Sequence, residues 1–167
     1  MSRKPTETAI IRQGDASRGP LDLTGRHYQA LWFSLAGLAW NSLVLVPADH
    51  RGSTAHIARA LADIGDQLSV VPVTSVVANH SNYRSAVQIA VGVSGTAWAD
   101  EERAVPRAGR ALISIDSVID EPLGVAVCQA ADATVICVEL GRSGLAAVRR
   151  SIELIGRDRI VGTFVID

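Results

Sequence analysis

Aromatic side chains make up only 4% of this 167-residue chain, too few to build a stacking surface for single-stranded nucleic acid. Charge of one sign is missing too. Sixteen Lys and Arg stand against seventeen Asp and Glu, for a net charge of −1, so no field gathers nucleic acid or an anionic membrane surface. No apolar run reaches the roughly 20 residues of a membrane helix. The longest candidate, 35–48, is broken by Gly37, Asn41, Ser42 and Pro47. The opening residues carry charge without an apolar segment and do not read as a secretory signal. Only two cysteines occur, Cys128 and Cys137, without metal-ligand spacing or a disulfide framework. They are expected to be small buried residues in a reducing, cytoplasmic compartment.

What is present suits one folded domain: 48% apolar and 20% charged residues, in a length able to bury a core. Residues 1–20, polar and interrupted by Pro5, Gly14, Gly19 and Pro20, read as a flexible arm or linker. Residues 21–167 read as the domain. Thr24 is placed to cap a helix in which Tyr28, Leu31, Leu35 and Leu38 recur at helical spacing. Trp32 and Phe33 fall off that stripe and suggest a second contact face. Ser42 to Val46 reads as a buried strand, and a helix capped by Ser53 or Thr54 follows, closing at Gly65. Further strands are expected at 68–73, 111–116, 133–138 and 159–166, with a helix at 144–155. Residues 83–91 fit a helix weakly and a strand nearly as well, and 92–110 read mostly as loop. Strands apolar throughout, separated by amphipathic helices, give an α/β fold with a mostly parallel sheet covered on both faces.

In such sheets ligands sit beyond the C-terminal strand ends, which directs attention to three segments. The first, Pro47-Ala48-Asp49-His50-Arg51-Gly52-Ser53-Thr54, lies between strand and helix where a P-loop would lie. A working P-loop needs glycines to wrap phosphates, a lysine for the β and γ phosphates, and a hydroxyl for magnesium. Here the lysine is absent and Gly52 takes its place, while Asp49 adds a negative charge. Either the turn is simply a capped loop, or Arg51 with the N–H groups of Gly52, Ser53 and Thr54 makes a weak anion site. The second segment, at the end of the 68–73 run, carries no acid. In the third, Asp116 ends a strand as a magnesium-holding acid would, or caps the next turn with Ser117. No histidine pair is spaced for catalysis or firm metal ligation. His27 and His80 are expected to be exposed.

In this order the pieces resemble the cytoplasmic domain of bacterial tyrosine kinases, the capsule and exopolysaccharide regulators related to MinD/ParA P-loop ATPases. The resemblance spans about residues 22–167. Ile115-Asp116-Ser117-Val118-Ile119-Asp120 stands where the family has Ile-Asp-Thr-Pro-Pro, and Ala130 to Val138 looks like its next core strand. Ile160 to Asp167 looks like its last strand, with Asp167 in place of Asn, and Tyr28 to Leu35 parallels its oligomerisation helix. The departures fall on functional positions. The Walker A lysine, the second acidic motif near 70–75 and the charged residues of the oligomerisation helix are all replaced, and no tyrosine cluster follows the last strand.

The resemblance therefore implies a P-loop NTPase-like fold without kinase activity. The expected role is a pseudo-kinase or pseudo-ATPase acting as scaffold or regulator in exopolysaccharide synthesis or export. Its expected partner is a membrane polysaccharide copolymerase or another export-complex protein, reached from the cytoplasm at the inner membrane, with Tyr28, Trp32 and Phe33 either as contacts or, for any one of them, simply buried against the sheet. Homo-oligomers fit that role; nucleic acid does not. No cofactor is expected, and ATP with magnesium would engage Asp116 only if nucleotide binds. The alternative is a divergent nucleotide-binding hydrolase or tyrosine kinase that retains weak ATP binding through Arg51, Ser53 and Asp116.

Overall fold

Ser42–Pro47 (β1) is the central strand because every one of its six residues is buried, as a strand covered on both faces requires. The structure, a computed structural model, describes residues 25–93 and 109–166. The proposed 1–20 arm, Thr24, the larger part of the expected 92–110 loop and Asp167 lie outside them. Around β1 the chain adds Arg26–Ala36 (α1), Ala55–Leu68 (α2), Val73–Val77 (β2), Tyr83–Val93 (α3) and Arg110–Ser114 (β3). It continues through Gly124–Ala130 (α4), Ala133–Glu139 (β4), Leu145–Ile155 (α5), a 3₁₀ turn at Arg157–Arg159 and Ile160–Ile166 (β5). All four strand pairings are parallel, in the order β2-β3-β1-β4-β5. The architecture is the expected three-layer α/β sandwich.

Alternation along β1 divides the core in two. Leu43 and Leu45 point toward α1 and α2, where they meet Tyr28, Trp32, Ile57, Leu61, Val135 and Phe164. Val44 and Val46 point to the other side, toward smaller residues such as Ala86, Ala90, Ala111 and Cys128 on and around α3 and α4. Both cysteines are free and buried, and burial pushes the Cys128 thiol up to about 12, so it stays protonated and apolar in character.

Several boundaries differ from the sequence reading for local physical reasons. The second strand starts at Val73, not Leu68. Asp66 Oδ1 accepts the Val73 N–H at 3.1 Å, and the Pro72 carbonyl accepts the Arg110 N–H at 2.8 Å, which fixes the register Val73↔Arg110. Leu68 ends α2, and Ser69 to Pro72 form a bend that leaves Val70 fully exposed. Gly65 does not end α2. It lies inside the helix under Trp32, where an added Cβ would come within 2.6 Å of the ring and 2.7 Å of Val73. Residues 83–93 are helical, which settles the helix-or-strand ambiguity there. The short α4 has no counterpart in the sequence reading. Its seven residues, Gly-Val-Ala-Val-Cys-Gln-Ala, are too few to display a helical period. The cap at the start of α1 is Gly25 rather than a hydroxyl residue.

Candidate functional site at the strand ends

From β1 the chain crosses to β2 and β3 on one side, while β4 and β5 lie on the other. The loops after β1 and β4 therefore diverge, and the crevice between them is where open α/β sheets hold ligands. A cleft of about 230 Å³ opens there, lined by Asp49, Gly52, Ser53, His56, Cys137 and Glu139 among others.

The loop after β1 begins as an extension of the sheet, since the Ala48 N–H still donates to the Cys137 carbonyl at 2.8 Å. It then turns back on itself, with the Gly52 N–H reaching the Asp49 carbonyl at 3.3 Å. Gly52 is needed for packing: a Cβ there would approach Pro47 Cβ to 2.6 Å. Arg51 takes φ of 58°, the sole positive φ of a non-glycine among the described residues. That conformation costs an L-residue about 1–2 kcal/mol. What holds it is Asp120, from the loop after β3. One of its carboxylate oxygens accepts the Arg51 N–H at 2.9 Å, and the other makes a short bond with His50 Nδ1. These bonds, His50 first and Arg51 second, hold the Asp120 carboxyl below its ordinary pKa. The other flank is tied as well. Ser143 Oγ donates to Asp49 Oδ1 and accepts the Glu139 N–H at 2.8 Å, which links the loop after β1 to the loop after β4.

Several donors an incoming phosphate would use are thus engaged within the chain, among them the N–H groups of Arg51 and Gly52. The Thr54 hydroxyl is buried and donates to the Leu45 carbonyl at 2.9 Å, so it faces the sheet rather than the cleft. Ser53 Oγ accepts the Ala55 N–H at 3.4 Å at the start of α2. Burial lowers the His56 pKa, against the opposing influence of Glu139, so its imidazole is neutral at neutral pH. With Asp49 and Glu139 alongside it, the cleft has no fixed positive side chain in its lining. A carboxylate about 4 Å from a phosphate oxygen costs on the order of 4 kcal/mol at an effective dielectric near 20.

Of the residues singled out in the sequence, Gly52, Ser53 and Thr54 line the cleft, while Arg51 stands outside its lining under the hold of Asp120. Asp116 is exposed just beyond β3 and is also outside that lining. It sits over Tyr83, whose buried hydroxyl is pushed up to about 12, by burial first and then by Asp116 and Glu121. Ser117 does cap the turn there, its Oγ accepting the Ile119 N–H at 3.4 Å. Tyr28 and Trp32 are core residues at 1% and 2% exposure, whereas Phe33 stands out at 63%. His56, Asp120, Glu139 and Ser143 were not singled out as site residues. Asp120 and Ser143 act across 69 and 94 residues of chain, and no local pattern announces such contacts. Among the described residues no group of three or more His, Cys, Asp or Glu could hold a metal ion, and no helix is long and apolar enough to cross a membrane. No family model and no curated protein matches the chain.

Proposed function

We propose that this domain is a non-catalytic member of the P-loop-like α/β proteins, working by contact with a partner rather than by phosphoryl transfer. One observation carries the reading. The loop in the phosphate-binding position is filled from within: Asp120 takes the Arg51 N–H and His50, Asp49 is bonded to Ser143, and Thr54 is turned to Leu45. No lysine stands before Ser53-Thr54 to neutralise a triphosphate. A cleft edged by Asp49 and Glu139 repels what a kinase site must attract.

The resemblance to capsule and exopolysaccharide tyrosine kinases supplies the biological setting for the proposal. The domain acts as a scaffold or regulator of polysaccharide synthesis or export, binding a membrane copolymerase or another export-complex protein from the cytoplasmic side. Phe33, exposed on α1 beside the buried Tyr28 and Trp32, is the member of the expected contact set that reaches the surface. The test is phosphoryl transfer itself. Purified domain with Mg·ATP and a tyrosine-containing peptide yields no phosphotyrosine and no phosphate above a heat-treated control. Turnover that disappears in Asp116→Ala overturns the proposal and restores the reading as a divergent hydrolase or kinase.

A further inference from the structure

The loop at 48–53 combines three features found together nowhere else among the described residues. It carries a non-glycine residue in the left-handed region, Arg51 at φ 58°. Its hold on that conformation comes from a side chain on another loop, Asp120, which is itself substantially exposed to solvent. It also borders the cleft between β1 and β4 through Asp49 and Gly52. Strain in a backbone persists only where the surroundings over-determine it, and here much of that determination is one water-accessible carboxylate.

We propose that residues 48–53 form a strap over the cleft, latched by Asp120 and hinged between Pro47 and Thr54. The two ends are fixed. Pro47 is in the sheet, paired with Cys137, and Thr54 is buried and bonded to Leu45. Between them, Asp120 holds His50 and Arg51 while Ser143 holds Asp49. When the carboxylate lets go, Arg51 returns to the right-handed or extended region. Its amide then leaves the β3 side, and the middle of the strap lifts away from the cleft. The Ser143 contact remains as a tether, so the motion is a swing about Asp49 rather than a loss of the loop. A partner that offers a cation to Asp120, or an acceptor to the Arg51 amide, would open the strap from outside.

The proposal shares its location with the non-catalytic reading and uses that reading only to say where to look. Its test is blind to nucleotide, so the two fail separately. Amide exchange of residues 49–53 and tryptic cleavage at the Arg51–Gly52 bond are measured in the whole domain. In Asp120→Ala both rise about tenfold, the population change expected when strain of this size loses its restraint, while exchange in β1 and β4 stays unchanged. Arg51→Gly, which removes the strain and leaves the latch, slows exchange below that of the native chain. Adding it to Asp120→Ala returns exchange at 49–53 toward the native rate. Asp120→Asn, which keeps an acceptor oxygen without charge, falls between native and alanine. Exchange at 49–53 unchanged within twofold in both Asp120 variants overturns the latch. No slowing by Arg51→Gly overturns strain as its driving force.

Discussion

The two ends of the sheet are held by similar devices that serve opposite purposes. At the N-terminal end, Asp132 Oδ2 accepts the N–H groups of Asn41 and Ser42 at 2.8 and 3.0 Å, and its own N–H donates to Ser42 Oγ at 3.1 Å. Trp40 is buried there with its Nε1 bonded to the Leu35 carbonyl. It meets Trp32 edge to face, with the Arg110 guanidinium 4.8 Å from its ring centroid. At the C-terminal end, Asp120 likewise takes a backbone N–H, but the residue it holds is strained and the cover is a loop over a cleft. One aspartate, itself exposed, begins a buried strand that follows directly on Trp40 and its packed wall of aromatics. The other fixes the loop after β1, at the edge of the cleft. Both carboxylates are exposed, so the same bond type is structural where it starts a fully buried strand and conformational where it holds a strained loop.

The sharpest way to break that contrast is to remove the wall. Trp40→Ala deletes a buried ring and leaves the Leu35 carbonyl without its indole donor, so stability is expected to fall by about 3–5 kcal/mol, read from urea or thermal unfolding. Gly65→Ala drives a methyl into Trp32 and Val73 and is expected to cost about 1–3 kcal/mol, without moving the loop after β1. Asp120→Ala, at the other end, is expected to change global stability by less than about 1 kcal/mol because the carboxylate is exposed, while altering amide exchange locally.

The smallest effect concerns pH. The folded Asp120 carboxyl lies below its unfolded value because of its bonds to His50 and Arg51. Its contribution is therefore fully present above the ordinary carboxylate pKa, and it is lost as pH falls through the folded value. Unfolding curves of the native chain and Asp120→Asn should run parallel near neutrality and converge below about pH 4. Curves that stay parallel into acid would remove the ionised carboxylate from the account.

The sheet was legible in the sequence because strands covered on both faces must be apolar at consecutive positions, as Leu43 to Val46 and Thr134 to Val138 nearly are. The same rule misplaced β2. The run Leu68 to Val73 is apolar enough for a buried strand, yet Pro72 has no N–H to give a ladder, and Asp66 fixes the strand start at Val73. Gly65 looked like a helix stop because its close approach to Trp32 is a tertiary fact. At the site, the missing lysine and the acidic Asp49 were legible residue by residue. How the loop is closed was not, since the partners of His50, Arg51 and Asp49 arrive from 69 to 94 positions away. The expected contact set on α1 divides for a related reason. Trp32 stands four residues after Tyr28 and three before Leu35, on the same buried face of α1, and it covers Gly65, where a larger residue would have kept the ring out. Phe33 is the residue off that face and is exposed.

The measurement that bears most directly on the central claim is a titration of the isotope-labelled domain with Mg·ATP, following the backbone amides of Gly52, Ser53, Thr54 and Ala55. A loop filled by Asp120, Asp49 and Ser143 predicts no saturable shift at these amides up to millimolar nucleotide. Saturable shifts in the micromolar range, lost in Asp116→Ala, would contradict it and show that the site still binds nucleotide.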